Sequence, residues 1–141
     1  MVDRNVFDRR LDKLEQLLRK LRGLQSVDLA TFLEDEDVQA RTERWLQVAI
    51  ECALDLTNHL IAARGWKTPS TYREAFEVLH KEGLLDSDLA AQMADWAGLR
   101  NILVHLYLEI DHRLLHQFLQ QDLGQVETFA RTLAEAVSGK S

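Results

Sequence analysis

One cysteine, one proline and six glycines are all that punctuate these 141 residues. A lone Cys52 cannot close an internal disulfide, which excludes the disulfide-stapled class and fits a reducing cytosol. With so few breakers, long helices are expected, and no strand-like alternation stands out. No apolar run approaches the ~20 residues of a membrane span. The N-terminal stretch MVDRNVFDRR lacks the apolar core of a signal peptide, so a cytoplasmic chain without a membrane partner is expected. P-loop, Gly-rich nucleotide fingerprint, Ser-His-Asp order and Cys-x-x-Cys pair are all missing, and neither ATP binding nor any resident cofactor is expected. A net charge of −6 argues against a broad nucleic-acid-binding surface, leaving room only for a local cationic patch.

What is present is helical patterning. Hydrophobic residues make up 46% of the chain, enough for one domain spanning residues 1–141 around one core. Phe7, Leu11, Leu14, Leu18 and Leu21 step by four and three, the stripe of an amphipathic helix over 3–24. Asp28 caps a short turn holding Leu29 and Phe32. The acids at 34–37 suit the N-terminus of a helix from about Glu36 to about Arg64, which Gly65 stops. Ser70 or Thr71 caps a short helix ending near Lys81, and Asp86 or Ser87 opens the next. Asp111 starts a last helix that Gly124 can kink. The expectation is all-α: an antiparallel up-and-down bundle of four long helices plus one short helix.

Residues 100–107 read Arg-Asn-Ile-Leu-Val-His-Leu-Tyr. Arg100 is a fixed cation, and His105 carries the side chain whose unperturbed pKa, about 6.5, lies nearest neutrality. A cation that holds a phosphate beside a base that takes a hydroxyl proton is the minimum kit for cutting RNA without a metal. Arg-x4-His after an apolar helix, with Asn101 following the Arg, resembles the signature of HEPN-domain ribonucleases. With Tyr107, the pattern Arg-x4-His-x-Tyr resembles the HepT-like toxin branch. Residues 46–85 are similar to that branch too: Glu51, Asp55 and Asn58-His59 on one helix, a Gly-x-x-x-Pro break, then Tyr-x-x-x-Phe-x-x-Leu.

The resemblance implies a homodimeric HEPN-like bundle and a metal-independent endoribonuclease toxin. In such a toxin His105 takes the proton of a ribose 2′-hydroxyl and Arg100 stabilises the phosphoryl oxygens. It further implies a nucleotidyltransferase antitoxin that attaches AMP to Tyr107, placing bulk and negative charge beside Arg100. DNA, without the 2′-hydroxyl, is expected to be inert. The low net charge predicts weak non-specific RNA affinity and strong salt dependence.

Helical geometry constrains this chemistry. Arg100 and His105 are five residues apart, roughly 140° around an ideal helix, so one straight helix does not easily aim both at one phosphate. Either the helix breaks at the motif or a second protomer contributes. Ala91, Ala94 and Gly98 lie on the His105 face, where small residues let another helix approach; equally, they pack within the bundle. Leu89, Met93, Trp96, Leu99, Leu103, Leu106 and Ile110 face the chain's own core.

Other groups admit two readings each. Asn101 holds the imidazole or a phosphate oxygen, or is a surface amide. Glu51, Asp55 and Asn58 either orient Arg100 or His105 or form a solvated strip; buried, the acids need a cation, with Arg100 the first candidate. His112 and His116 have the spacing of a metal pair but no completing ligand set, which favours exposed or capping histidines. Cys52 reads as a small core hydrophobe, and Trp45, Trp66 and Trp96 as core or hinge packing. The basic residues of the first helix read mostly as its solvated face. A rival reading, encouraged by the acidic balance, is a non-catalytic helical adaptor that docks a minimal nucleotidyltransferase.

Overall fold

The computed structural model describes residues 3–105 and 110–138, the side chains of Val104 and His105 excepted. Among the described residues seven helices follow in order: α1 Arg4–Gly23, α2 Leu29–Glu34, α3 Glu36–Arg64, α4 Tyr72–Lys81, α5 Ser87–His105, α6 His112–Gln121 and α7 Leu123–Val137. No strand occurs among the described residues.

Most of the boundaries are set by side chains within a few residues. The Asp3 carboxylate accepts the Asn5 and Val6 amides to start α1. Asp28 does the same for Thr31 at α2, Asp35 for Asp37 and Val38 at α3, and Asp86 for Leu89 at α5. At α4 the Thr71 hydroxyl accepts the Glu74 amide while Glu74 Oε2 accepts the Ser70 amide, a reciprocal cap that consumes two orphan donors. Gly65 ends α3 at φ 68°, a left-handed conformation that a Cβ would disfavour.

Four helices close a ring: α1 packs on α3, α3 on α5, α5 on α7, and α7 back on α1. Side-chain pairs show the directions. Arg10 meets Asp55 and Lys20 lies over Trp45, so α1 and α3 run antiparallel. Arg4 bonds the Val137 carbonyl while Arg22 pairs with Glu127, so α1 and α7 do too. The expected stripe on α1 is the buried one: Phe7, Leu11, Leu14, Leu18 and Leu21 all face inward. Inside the ring they meet Leu46, Ile50, Leu56 and Leu60 of α3 and Phe129 and Leu133 of α7. Each such side chain contributes roughly 1.5–3 kcal/mol by leaving water. α4 lies over α3 and α5, and α2 pairs with α6 at one end.

The single last helix expected from sequence is two helices. The break falls at Asp122, whose amide bonds the Phe118 carbonyl, rather than at Gly124, which lies within α7. The split frees α6 to cover Phe32 of α2, which His112 and His116 approach edge-on and tilted. No described helix is long and apolar enough to cross a membrane.

Candidate functional site

Arg100 stands near the end of α5, its side chain 42% exposed. Its Nε lies 3.5 Å from Glu51 Oε1 on α3, itself 43% exposed. At that exposure the pair adds little stability, about 0–1 kcal/mol; its consequence is to fix the direction of the guanidinium. Among the described residues, the group's two terminal nitrogens have no acid partner and can meet another anion.

Beside this pair lies an open cleft of about 310 Å3, lined by Leu54 and Asn58 of α3, residues 69–72 at the start of α4, and Ala97, Arg100 and Asn101 of α5. The packing of α4 on α5 forms one side of it. Gly98 makes that approach possible: a Cβ there would lie 3.2 Å from the Tyr72 hydroxyl. Ala94 is 2% exposed. The small-residue face of α5 is thus occupied, at Ala94 and Gly98, by packing within the chain, and it does not by itself indicate a second subunit.

The acidic line of α3 divides. Glu51 reaches Arg100, as one reading of the sequence had it. Asp55 does not: it is exposed, and its Oδ2 lies 3.8 Å from Arg10 Nε of α1. The reason is the position of α3 between α1 and α5, so that successive polar turns meet different neighbours. Asn58 turns to the cleft, and the His59 ring accepts the Asp3 amide at 3.3 Å and tilts against Phe7. Cys52, among these residues, is a half-buried thiol pushed up in pKa by burial first and then by the Asp55 charge, the opposite of an activated nucleophile.

The other candidates resolve into structural roles. His112 Nε2 lies 3.4 Å from Glu43, and His116 Nε2 is 2.9 Å from the Val27 carbonyl, so the two rings point to separate partners. No group of three or more His, Cys, Asp or Glu suited to a metal occurs among the described residues. Trp96 is buried against Phe118, while Trp45 and Trp66 lie beneath Lys20 and Arg64.

The His105 side chain and Tyr107 lie outside the described residues, and the positions assigned to them rest on sequence alone. What is described is the α5 backbone, helical without interruption from Ser87 to His105. The roughly 140° offset between positions 100 and 105 therefore persists within one chain. Ser70, Tyr72 and Ala97 had no role in the sequence reading of the site. Ala97 lies one turn before Arg100 on α5, whereas only packing of α4 across α5 brings Ser70 and Tyr72 there, a contact that no local pattern announces.

Comparison with known proteins bears on this arrangement. The family model described as Ribonuclease HepT-like matches residues 9–133. An Aphanizomenon flos-aquae protein named tRNA nuclease HepT is 30% identical over 128 residues, 91% of this chain and 87% of the relative. A Shewanella oneidensis protein named mRNA nuclease HepT is 27% identical over 121 residues, 84% of this chain and 91% of the relative. The solved structure of a tri-AMPylated Shewanella oneidensis HEPN toxin in complex with an MNT antitoxin superposes with a TM-score of 0.83. It is 23% identical, covers 95% of this chain and 98% of that one, and so attests the fold. Arg100 at the mouth of a cleft, the helical ring behind it and a match over nearly the whole length lead to one assignment: this chain belongs to the HepT-like ribonuclease family.

Proposed function

We propose that this chain is a metal-independent endoribonuclease toxin, one helical domain over residues 1–141, and that Arg100 and His105 are its catalytic pair. The observation that carries the proposal is the half-exposed Arg100 guanidinium, steadied by Glu51, at a solvent-open cleft in a chain of a ribonuclease family. Neutral His105 removes the proton from a ribose 2′-hydroxyl. The oxygen attacks the adjacent phosphorus, the 5′-oxygen leaves with a proton, and a 2′,3′-cyclic phosphate and a 5′-hydroxyl result. Arg100 stabilises the charge that grows on the phosphoryl oxygens. Asn101, exposed one residue on, supports either the imidazole or a phosphate oxygen. Glu51 positions Arg100; Asp55, paired with Arg10, contributes at most through the local field.

Uninterrupted α5 keeps positions 100 and 105 on different faces, which supports pairing of two chains alongside the reach of the long Arg100 side chain, so a homodimer is part of the proposal. Relatives named as tRNA and mRNA nucleases support RNA as substrate. The AMPylated toxin seen with its MNT antitoxin supports a nucleotidyltransferase partner, and the Arg-x4-His-x-Tyr pattern supports Tyr107 as the residue it modifies.

Purified protein incubated with RNA in EDTA tests the chemistry. Cleavage with the two termini named above is expected, and Arg100→Ala or His105→Ala lowers the rate by about 10²-fold or more. Unchanged cleavage by both variants contradicts the assignment, and a wild-type chain that cuts nothing returns the adaptor reading. Intact mass after co-expression with the cognate transferase tests Tyr107: adenylyl mass is expected on the wild type and none on Tyr107→Phe. Mass still added to Tyr107→Phe removes that site.

A further inference from the structure

The cleft has more in it than a phosphate needs. Its volume of about 310 Å3 sits at the small end of ligand sites, enough for a flat ring system and far too little for a duplex. Arg100 supplies positive charge at one side, already half answered by Glu51. At the other side lies the start of α4, where Thr71 Oγ1 takes the Glu74 amide and the Glu74 carboxylate takes the Ser70 amide, so a carboxylate already faces that end. A second phosphate would meet the Glu74 carboxylate there, which disfavours it. What remains free is neutral and polar. Among the described residues, neither the Asn58 nor the Asn101 side-chain amide is engaged, and each carries both a donor and an acceptor. The Ser70 hydroxyl adds a third such group, while Leu54, Pro69 and Ala97 give apolar walls. Paired donors and acceptors between apolar walls suit the edge and faces of a nucleobase.

We infer that the cleft between α3, α4 and α5 receives one unpaired nucleobase of the RNA, from a nucleotide flanking the phosphate held by Arg100, and that Asn58 reads its edge. The inference rests on the nuclease reading and adds that the substrate is single-stranded at the cut. Asn58 is seven residues, two helical turns, beyond Glu51 on α3, so base and phosphate sites line one groove beside the same helix. Duplex RNA keeps its bases stacked inside and cannot present one here.

The test uses a short oligoribonucleotide whose cut position has been mapped with the wild-type chain. Each of the two flanking nucleotides is replaced in turn by an abasic ribonucleotide, which keeps the 2′-hydroxyl and the phosphate. At one of the two, kcat/KM is expected to fall about tenfold or more, the scale of two lost hydrogen bonds and a lost stacking contact. Asn58→Leu, at an exposed position where folding is unaffected by the change, is expected to cut the intact RNA about tenfold less well. Its abasic penalty should then be smaller than the wild type's, because both changes remove the Asn58 contact. Wild-type rates on both abasic substrates overturn the subsite and leave the nuclease reading intact. So does a full abasic penalty in Asn58→Leu. A wild-type chain that cuts no RNA at all overturns both.

Discussion

Individual side chains here do either one thing or two, and the sequence distinguishes them poorly. Glu51 and Asp55 look equivalent at a spacing of four, yet one faces Arg100 and the other Arg10. The difference is tertiary: which neighbouring helix each turn of α3 meets. Cys52 is clearer. Burial and the Asp55 charge both disfavour its thiolate, so alkylation at pH 7.5 should run slower than for a free thiol, and Asp55→Asn should speed it. Mass spectrometry follows the rate directly; reaction as fast as a small thiol would contradict the burial. Asp28 offers a pH prediction. Its carboxyl is held below the ordinary carboxylate range by the Thr31 amide it caps. A depressed folded pKa gives stability above the unfolded value, about 4, that is lost as pH falls through the folded one. Wild type should therefore exceed Asp28→Asn in urea midpoint most at neutral pH, and the gap should close in acid. A gap independent of pH would exclude the carboxylate as its source.

Helices were the legible level. The apolar stripe placed α1, the acids at 34–37 placed the start of α3, a hydroxyl cap placed the start of α4, and Gly65 placed the end of α3, because these signals are local. The break at Asp122 was not legible. Asp122 makes no side-chain cap bond to α7, and its carboxyl pKa is raised by burial, so the turn is held by packing of α6 on α2 and α7 rather than by local chemistry. Two glycines separate local from tertiary demands. Gly124 has open space around a Cβ and an ordinary helical backbone, so Gly124→Ala should stabilise by about 0.5 kcal/mol. Gly98 faces the Tyr72 hydroxyl, so Gly98→Leu should destabilise by roughly 1–3 kcal/mol through overpacking. Thermal midpoints of the two variants should move in opposite directions; equal shifts would dissolve the distinction.

For the whole molecule, the ring of α1, α3, α5 and α7 sets Arg100 at its surface, on a helix whose backbone is unbroken to His105. The site was legible in part. The polar line of α3 pointed to Glu51, which does meet Arg100, while the octet's reading as phosphate chemistry remains part of the proposal. The wall supplied by α4 was not visible, since residues 69–72 reach Arg100 only through the fold. Nor does the small-residue face of α5 report a partner, because Tyr72 already covers Gly98. The proposed pairing of chains rests instead on the offset between positions 100 and 105, and it can be tested. Arg100→Ala and His105→Ala proteins, each inactive, are mixed under conditions that exchange subunits, and RNA cleavage is followed. If one chain lends the guanidinium and the other the imidazole, a mixed pair holds one complete site and cleavage returns. A mixture that exchanges subunits yet stays as inactive as its components would contradict a site shared between two chains.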